Sequence, residues 1–207
     1  MRVGVFGGSF DPVHFGHLFL AEYCREACEL DEVLFIPAGQ PPHKSGQRLT
    51  PPEHRLEMLR LAIANNPGFS ISDVEIKRDG PSYTVDTLAE LKEQRPDANL
   101  FLLMGADMLA DFPTWREPTR ICELASLAVV ARADQAALDW SVMDGVTTAD
   151  RQAEFISVKM PRMDISSTEI RERVFAGMSI RYRTPDAVMD YIHATPAVFQ
   201  RQREANG

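Results

Sequence analysis

Short apolar runs alternate along this chain with segments whose apolar residues recur at helical spacing, and this alternation restricts the fold more than any other feature. The apolar runs, bounded by turn-forming residues, lie at residues 3–6, 33–36, 69–76, 100–104, 127–130 and 155–158. The helical segments lie at residues 18–28, 50–63, 85–91, 119–124, 167–175 and 185–193. Because helical crossovers favour parallel strand pairing, we predict an α/β fold with a doubly wound, mainly parallel sheet and helices on both faces.

The length predicts one compact domain over residues 1–207, with a C-terminal helical portion at about residues 165–200. The apolar runs are too short to cross a bilayer, and the chain opens on a strand pattern rather than a secretory signal. Cys24, Cys28 and Cys122 form no disulfide-type spacing pattern. We therefore expect a cytoplasmic protein that does not bind membranes.

The formal net charge of −8 argues against a nucleic-acid-binding protein, which normally carries an excess of Lys and Arg on one face. It does not exclude a small anionic ligand. Such a ligand would be held by helix N-termini and by isolated cationic side chains in loops.

The first apolar run leads into Gly7-Gly8-Ser9-Phe10-Asp11-Pro12 and then His14-Phe15-Gly16-His17. A strand that ends at paired glycines and continues as a helix leaves backbone N–H groups for a phosphate, and the spacing places both imidazoles along the first helical turn. An ordinary tight turn or half of a zinc site are the alternatives. A zinc site would need further ligands from scattered His and Cys residues, so no protein-bound metal is expected.

Two helix starts carry capping signals. Thr50 is predicted to cap the helix that begins at the following prolines, with Glu53 completing a capping box. Ser166, three residues before Glu169, predicts a second capped start, with adjacent hydroxyls and Arg171 one turn further on. This second start is either an ordinary capped helix or a second phosphate site.

Together the two motifs resemble those of the nucleotidylyltransferase superfamily, which combines a Gly-rich loop, His-x-Gly-His and a later Ile-Ser-Ser-Thr-x-x-Arg helix start. Over nearly its whole length the chain is similar to the bacterial-type nicotinate-mononucleotide adenylyltransferases. The further shared marks are Pro41-Pro42-His43-Lys44, Ser82-Tyr83-Thr84-Val85-Asp86-Thr87, Gly105-Ala106-Asp107, Trp115 and Arg132.

The resemblance implies a Rossmann-like fold and transfer of the adenylyl group of ATP to nicotinate mononucleotide, which releases pyrophosphate and deamido-NAD in NAD biosynthesis. Mg²⁺ is expected with the ATP phosphates. The implied catalytic residues are His14, His17 and Arg171. The implied ATP-binding residues are Gly7, Gly8, Ser9, Phe10, His17, Gly105, Asp107, Ser166, Ser167, Thr168 and Arg171. The implied mononucleotide-binding residues are Lys44, Tyr83, Thr84, Trp115 and Arg132.

Several of these residues have a second interpretation. Asp107 is assigned to ribose hydroxyls or backbone organisation, since a carboxylate repels phosphate, and it could equally cap a helix after Gly105. Trp115 either stacks on the cationic pyridinium or belongs to the core. Either imidazole, with an ordinary pKa near 6.5, could become cationic beside phosphate.

Other functions remain as alternatives. Pantetheine-phosphate adenylyltransferases and cytidylyltransferases usually carry Thr-x-Gly-His or lack the Ser-Tyr-Thr and Trp115 elements, and a class I aminoacyl-tRNA synthetase needs a longer chain. A non-catalytic nucleotide sensor would tolerate loss of His14, His17 or Arg171, which are all present. The sequence leaves homo-oligomer formation open.

Overall fold

The computed structural model describes residues 1–40, 49–132, 138–146, 154–196 and 199, with the backbone alone of residue 132. The strands are β1 (Arg2–Gly8), β2 (Glu32–Pro37), β3 (Phe69–Ile71), β4 (Asn99–Gly105), β5 (Ala125–Arg132) and β6 (Phe155–Met160). The α-helices are α1 (Phe15–Ala27), α2 (Pro52–Ile63), α3 (Val74–Lys77), α4 (Thr84–Gln94), α5 (Ala106–Asp111), α6 (Pro118–Leu124), α7 (Ser167–Phe175) and α8 (Asp186–Ala194). Short 3₁₀ turns occupy Phe112–Thr114 and Trp140–Met143.

The described strands form one six-stranded sheet in the order β3-β2-β1-β4-β5-β6. Strand β4 pairs in parallel with β1 on one side and with β5 on the other, and β5 pairs in parallel with β6. The order runs outward from β1 in both directions, as a doubly wound sheet requires. The predicted α/β class with a parallel Rossmann-like sheet is confirmed.

The chain divides into two compact units, which are Met1–Gly7 with Leu20–Leu34 and Ser82–Arg162, and Gly8–Phe19 with Phe35–Pro81 and Met163–Gly207. In the first unit the core follows the sheet, where Leu127, Ala128 and Val129 of β5 are fully buried. In the second unit α2 packs against α8. The single domain over residues 1–207 stays a prediction.

Two local predictions are wrong. The run at residues 69–76 is a strand only to Ile71, and α3 follows, because its alternating pattern extends over too few residues to distinguish a strand from a helical turn. Thr50 does not cap α2: Pro51 occupies the N-cap position, and the backbone N–H of Thr50 donates to Asp11 Oδ2 at 3.1 Å.

The predicted cap of α7 is confirmed, since Ser166 Oγ accepts a hydrogen bond from the backbone N–H of Glu169 at 3.1 Å. The two C-terminal helices α7 and α8 lie within the predicted helical portion. Among the helices of the described ranges, none combines the length and the hydrophobicity that crossing a membrane requires.

Candidate active site

The loop of residues 8–17 leaves the sheet through a buried, strained turn. Phe10 is only 1% exposed and has φ 47°, a left-handed conformation that costs a non-glycine residue about 1–3 kcal/mol. Its ring packs edge-on against His17 at 5.0 Å and against Phe35 at 5.6 Å. A Cβ on Gly8 would lie 3.0 Å from the Phe10 ring, so glycine permits this close packing. Phe10 can therefore reach a ligand only through its backbone, and its side chain positions His17.

The start of α7 is tied to this loop by two hydrogen bonds. Ser167 Oγ donates to the carbonyl of Pro12 at 2.9 Å, and Arg171 Nη1 donates to the carbonyl of Asp11 at 2.6 Å. The two motifs are more than 150 residues apart in the sequence and lie within one compact unit. The structure therefore brings together the two segments that the sequence analysis paired.

These bonds change what two predicted phosphate ligands can do. The single hydroxyl proton of Ser167 is donated to Pro12, so in this arrangement Ser167 cannot also donate to a phosphate. Arg171 uses Nη1 on Asp11 and Nη2 on Thr168 Oγ1 at 3.1 Å. A guanidinium has five N–H donors, so Arg171 retains capacity for an anion.

The buried side chain of Arg55 also binds the backbone of this turn. Its side chain is 1% exposed, and it donates from Nε to the carbonyl of Thr50 at 2.9 Å and from Nη1 to the carbonyl of Ser9 at 3.0 Å. Burial lowers the pKa of Arg55, and the neighbouring Asp11 carboxylate opposes that shift. An arginine remains protonated under such a shift, so a buried cation fixes the backbone of the loop.

Arg55 was not among the predicted site residues, although its spacing in the sequence was informative. Arg55 precedes Leu59 and Ile63 at intervals of four residues, and all three are buried on one face of α2. A charged residue in register with an apolar stripe must find polar partners inside the fold. Its spacing therefore indicated a structural role, but not which carbonyls it would bind.

Two further contacts complete the support of the loop. The buried Thr184 hydroxyl donates to the carbonyl of Val13 at 2.8 Å, and the backbone N–H of Ala38 donates to the carbonyl of Gly8 at 2.8 Å. Carbonyls along the loop thus accept hydrogen bonds from distant segments of the same unit. These bonds fix the orientation of the loop backbone.

The two histidines are stacked, with ring centroids 3.7 Å apart and 26° between the planes. The backbone N–H of His14 donates to Nδ1 of His17 at 3.3 Å. Because Nδ1 accepts, the proton of the neutral His17 ring lies on Nε2. His17 is half-buried and can therefore act as a hydrogen-bond donor through Nε2.

His14 has a different environment. It is 6% exposed, and burial lowers its pKa from 6.5 to about 4, so its ring is neutral near pH 7. Its Nδ1 has no hydrogen-bond partner among the described residues. Burial therefore opposes a cationic His14 ring, and the expectation that an imidazole becomes cationic beside phosphate stays a prediction.

The electrostatics at the helix starts suit an anion. The first turn of α1 contains no acidic residue. Its first backbone N–H, that of Phe15, is not available, because it donates to the carbonyl of Arg183 at 3.0 Å. Glu169 lies in the first turn of α7, but its carboxylate accepts from Arg183 Nε at 3.0 Å, so a cation accompanies it.

The other unit contains the remaining predicted nucleotide ligands. Gly7 lies one residue before the end of β1, and Gly105 and Arg132 are the last residues of β4 and β5. The three strands are successive parallel neighbours, so these backbones lie at one edge of the sheet. Asp107 is not a cap: Gly105 is the N-cap of α5, and Asp107 lies in its first turn. A Cβ on Gly105 would lie 3.1 Å from Asp107 Oδ1, so glycine lets the carboxylate approach the backbone.

Tyr83 is the N-cap residue of α4, and Thr84 is its first residue. Trp115 is half-buried against the fully buried Phe112, with ring centroids 5.3 Å apart. The Trp115 ring is therefore neither a core side chain nor an isolated surface group.

Two predicted mononucleotide ligands lie outside the described residues. They are Lys44, with its motif Pro41-Pro42-His43-Lys44, and the side chain of Arg132.

No group of three or more His, Cys, Asp and Glu side chains that could hold a metal ion occurs within the described part of the chain. The oxygen ligands that Mg²⁺ prefers can also come from substrate phosphates and water. Mg²⁺ bound with the ATP phosphates stays a prediction.

The fold and the paired motifs define a nucleotidylyltransferase type of α/β protein, and the family model described as Cytidylyltransferase-like matches residues 5–173. A protein of Roseiflexus sp. (strain RS-1), "Probable nicotinate-nucleotide adenylyltransferase", is 52% identical over 192 residues, which cover 93% of this chain and 95% of that protein. A protein of the same name from Thermomicrobium roseum is 49% identical over 191 residues, covering 92% and 88% respectively. The chain belongs to the nicotinate-nucleotide adenylyltransferase family.

A solved structure shares the fold at much lower sequence identity. The Plasmodium falciparum nicotinic acid mononucleotide adenylyltransferase complexed with NaAD has a TM-score of 0.77 and 20% identity. The match covers 95% of this chain and 97% of that chain. The architecture described above is therefore that of a known enzyme fold.

Proposed function

We propose that this protein transfers the adenylyl group of ATP to nicotinate mononucleotide, forming deamido-NAD and pyrophosphate. The observation that carries the proposal is the convergence of loop 8–17 and the start of α7, joined through Asp11 and Pro12. The names of the relatives at 49–52% identity support the choice of substrates.

The reaction needs no protein nucleophile. A phosphate oxygen of the mononucleotide forms a bond to the α-phosphorus of ATP, and the bond from that phosphorus to the α,β-bridging oxygen breaks, so that pyrophosphate leaves with the electron pair. Catalysis then depends on positioning and on donors aimed at the developing charge. We assign His17 Nε2 and the remaining donors of Arg171 to the phosphate oxygens, while the neutral His14 ring supports His17 by stacking.

The other ATP contacts are proposed as follows. Gly8 and Ser9 present backbone to the phosphates, and Ser166 and Thr168 present hydroxyls at the start of α7. A Cβ on Gly7 would meet no protein atom within 4 Å, so packing within the fold does not require glycine there. A ligand that lies close to this backbone would require it. Gly105 and Asp107 are assigned to the ribose side of ATP.

Mg²⁺ is proposed to accompany the ATP phosphates. It would neutralise part of the charge that accumulates on the leaving pyrophosphate. His17 and Arg171 supply their hydrogen bonds independently of that ion.

The mononucleotide is proposed to contact the first unit. Thr84 and the N-terminus of α4 suit the pyridine carboxylate, and the Trp115 ring suits the cationic pyridinium. Tyr83 borders the same helix start. Lys44 and Arg132 are proposed near the mononucleotide phosphate and at the substrate end of β5, respectively.

The test is release of pyrophosphate by the purified protein with ATP and Mg²⁺. The acceptors to compare are nicotinate mononucleotide, nicotinamide mononucleotide and phosphopantetheine, and the dinucleotide product is identified by mass. Preferred use of nicotinate mononucleotide is expected. Preference for phosphopantetheine would assign a different adenylyltransferase activity, and no release with any acceptor would favour a nucleotide sensor.

A further inference from the structure

Arg116 connects two parts of the first unit that the sequence analysis treated separately. Its guanidinium carbon lies 4.6 Å from the centroid of the Tyr83 ring, a cation–π distance. Its Nη1 lies 3.5 Å from Asp86 Oδ2 in the first turn of α4. Arg116 therefore contacts the start of α4 through both an aromatic face and a carboxylate.

The neighbours of Arg116 in the chain are also fixed. The backbone N–H of Trp115 donates to the carbonyl of Phe112 at 3.0 Å, and the two rings pack together. Glu117 adopts a left-handed conformation with φ 50°, and its carboxylate lies 3.6 Å from Arg116 Nε. Trp115 is thus anchored on one side by Phe112, and Arg116 adds a side-chain link to α4 at its first turn, beside the packing of α6 on the same helix.

We propose that Arg116 is a positioning residue for the mononucleotide side of the site, holding the Trp115 segment at a fixed place relative to Tyr83 at the start of α4. The proposal rests on the proposed function, because it concerns the residues assigned to the pyridine ring and its carboxylate. The pyridine ring and its carboxylate belong to one small ligand, so the protein groups that contact them must lie at a fixed distance from each other. Arg116 can fix this distance without contacting the ligand itself.

The size of the effect follows from the exposure of Arg116. Its side chain is 50% exposed, so its ion pairs with Asp86 and Glu117 are screened and add little to stability. The effect of removing Arg116 should therefore be seen in ligand binding rather than in folding. We expect a change of about two- to fivefold in apparent affinity, the range that an exposed cation–π contact supports.

The kinetic test compares Arg116→Gln with Arg120→Gln. Arg120 is a matched control because it is 53% exposed and, among the residues that the structure describes, pairs with the nearby Glu123 on its own helix. Arg116→Gln should raise KM for nicotinate mononucleotide about two- to fivefold, with KM for ATP and kcat changed by clearly less. Arg116→Lys, which keeps a cation, should be intermediate. Equal effects of the two Gln variants, or an equal rise in KM for ATP, would overturn the proposal.

A second measurement needs no substrate. In a Trp140→Phe background Trp115 is the sole tryptophan, and acrylamide quenching of its fluorescence reports its exposure. Arg116→Gln should increase the quenching constant relative to Arg120→Gln, and an unchanged constant would overturn the proposal. If the wild-type protein fails to use nicotinate mononucleotide, the proposed function fails, and the quenching still decides whether Arg116 holds the segment.

Discussion

The two stacked histidines of loop 8–17 have the same side chain but different surroundings. His14 is buried, burial lowers its pKa, and its backbone N–H orients His17. His17 is half-buried, and in its neutral form it carries its proton on Nε2 because Nδ1 accepts from His14. We therefore propose that His17 donates to the phosphates and that His14 orients it.

Removing the His17 side chain should affect the transition state more than the ground state. For His17→Ala we expect kcat to fall by about 10²–10³, the effect typical of losing one donor to developing charge. The Kd for ATP, measured by calorimetry without acceptor, should change less than about tenfold. Equal losses in kcat and in ATP affinity would mean that His17 contributes uniform binding only.

The low pKa of His14 predicts a pH-dependent stability. The unfolded chain binds a proton at His14 near pH 6.5, whereas the folded chain does so only near pH 4, so stability falls as the pH falls between these values. The difference corresponds to about 3 kcal/mol at full protonation. Urea unfolding of wild type and His14→Gln at pH 7 and pH 4.5 should show wild type losing about 2–3 kcal/mol more than the variant. Parallel losses would contradict a buried neutral His14.

At the scale of elements, helix α7 combines a capped start with contacts to loop 8–17. The Ser166 side chain caps the backbone N–H of Glu169, and the side chains of Ser167 and Arg171 donate to the carbonyls of Pro12 and Asp11. A helix that frayed at its start would therefore release the turn of loop 8–17. The stability of this helix end and the geometry of the loop are coupled.

The cap gives a prediction at this scale. Ser166→Ala leaves the backbone N–H of Glu169 without its acceptor and should lower the free energy of unfolding by about 1 kcal/mol. Ser179→Ala is the control, since Ser179 accepts a turn hydrogen bond from Arg181 but caps no described helix, and it should cost about half of that or less. Equal costs in chemical denaturation would contradict the capping role.

The elements also show which features a sequence can predict. The start of α7 was predictable because the capping box lies within four consecutive residues. The helix at Val74–Lys77 was not predictable, because over so few residues the spacing of apolar side chains does not distinguish one helical turn from a short strand. The role of Arg55 was hidden for another reason: its acceptor Ser9 lies 46 residues away, and only tertiary packing decides that contact.

At the scale of the molecule, the candidate site depends on contacts between distant parts of the sequence. Arg171 reaches Asp11 across 160 residues, and Thr184 reaches Val13 across 171. The motif resemblance implied that such segments act together, but it did not reveal that Ser167 and Arg171 also hold the loop. Arg171 thus both builds the site and is proposed to act in it, whereas Ser167 only builds it.

The proposed function requires that loop 8–17 and the start of α7 bind one triphosphate. A crystal structure of the protein with Mg²⁺ and a non-hydrolysable ATP analogue tests this requirement directly. We expect one triphosphate within hydrogen-bond distance, about 2.7–3.2 Å, of both His17 Nε2 and the Arg171 guanidinium. A triphosphate that contacts only one of these groups, or that binds elsewhere, would contradict it.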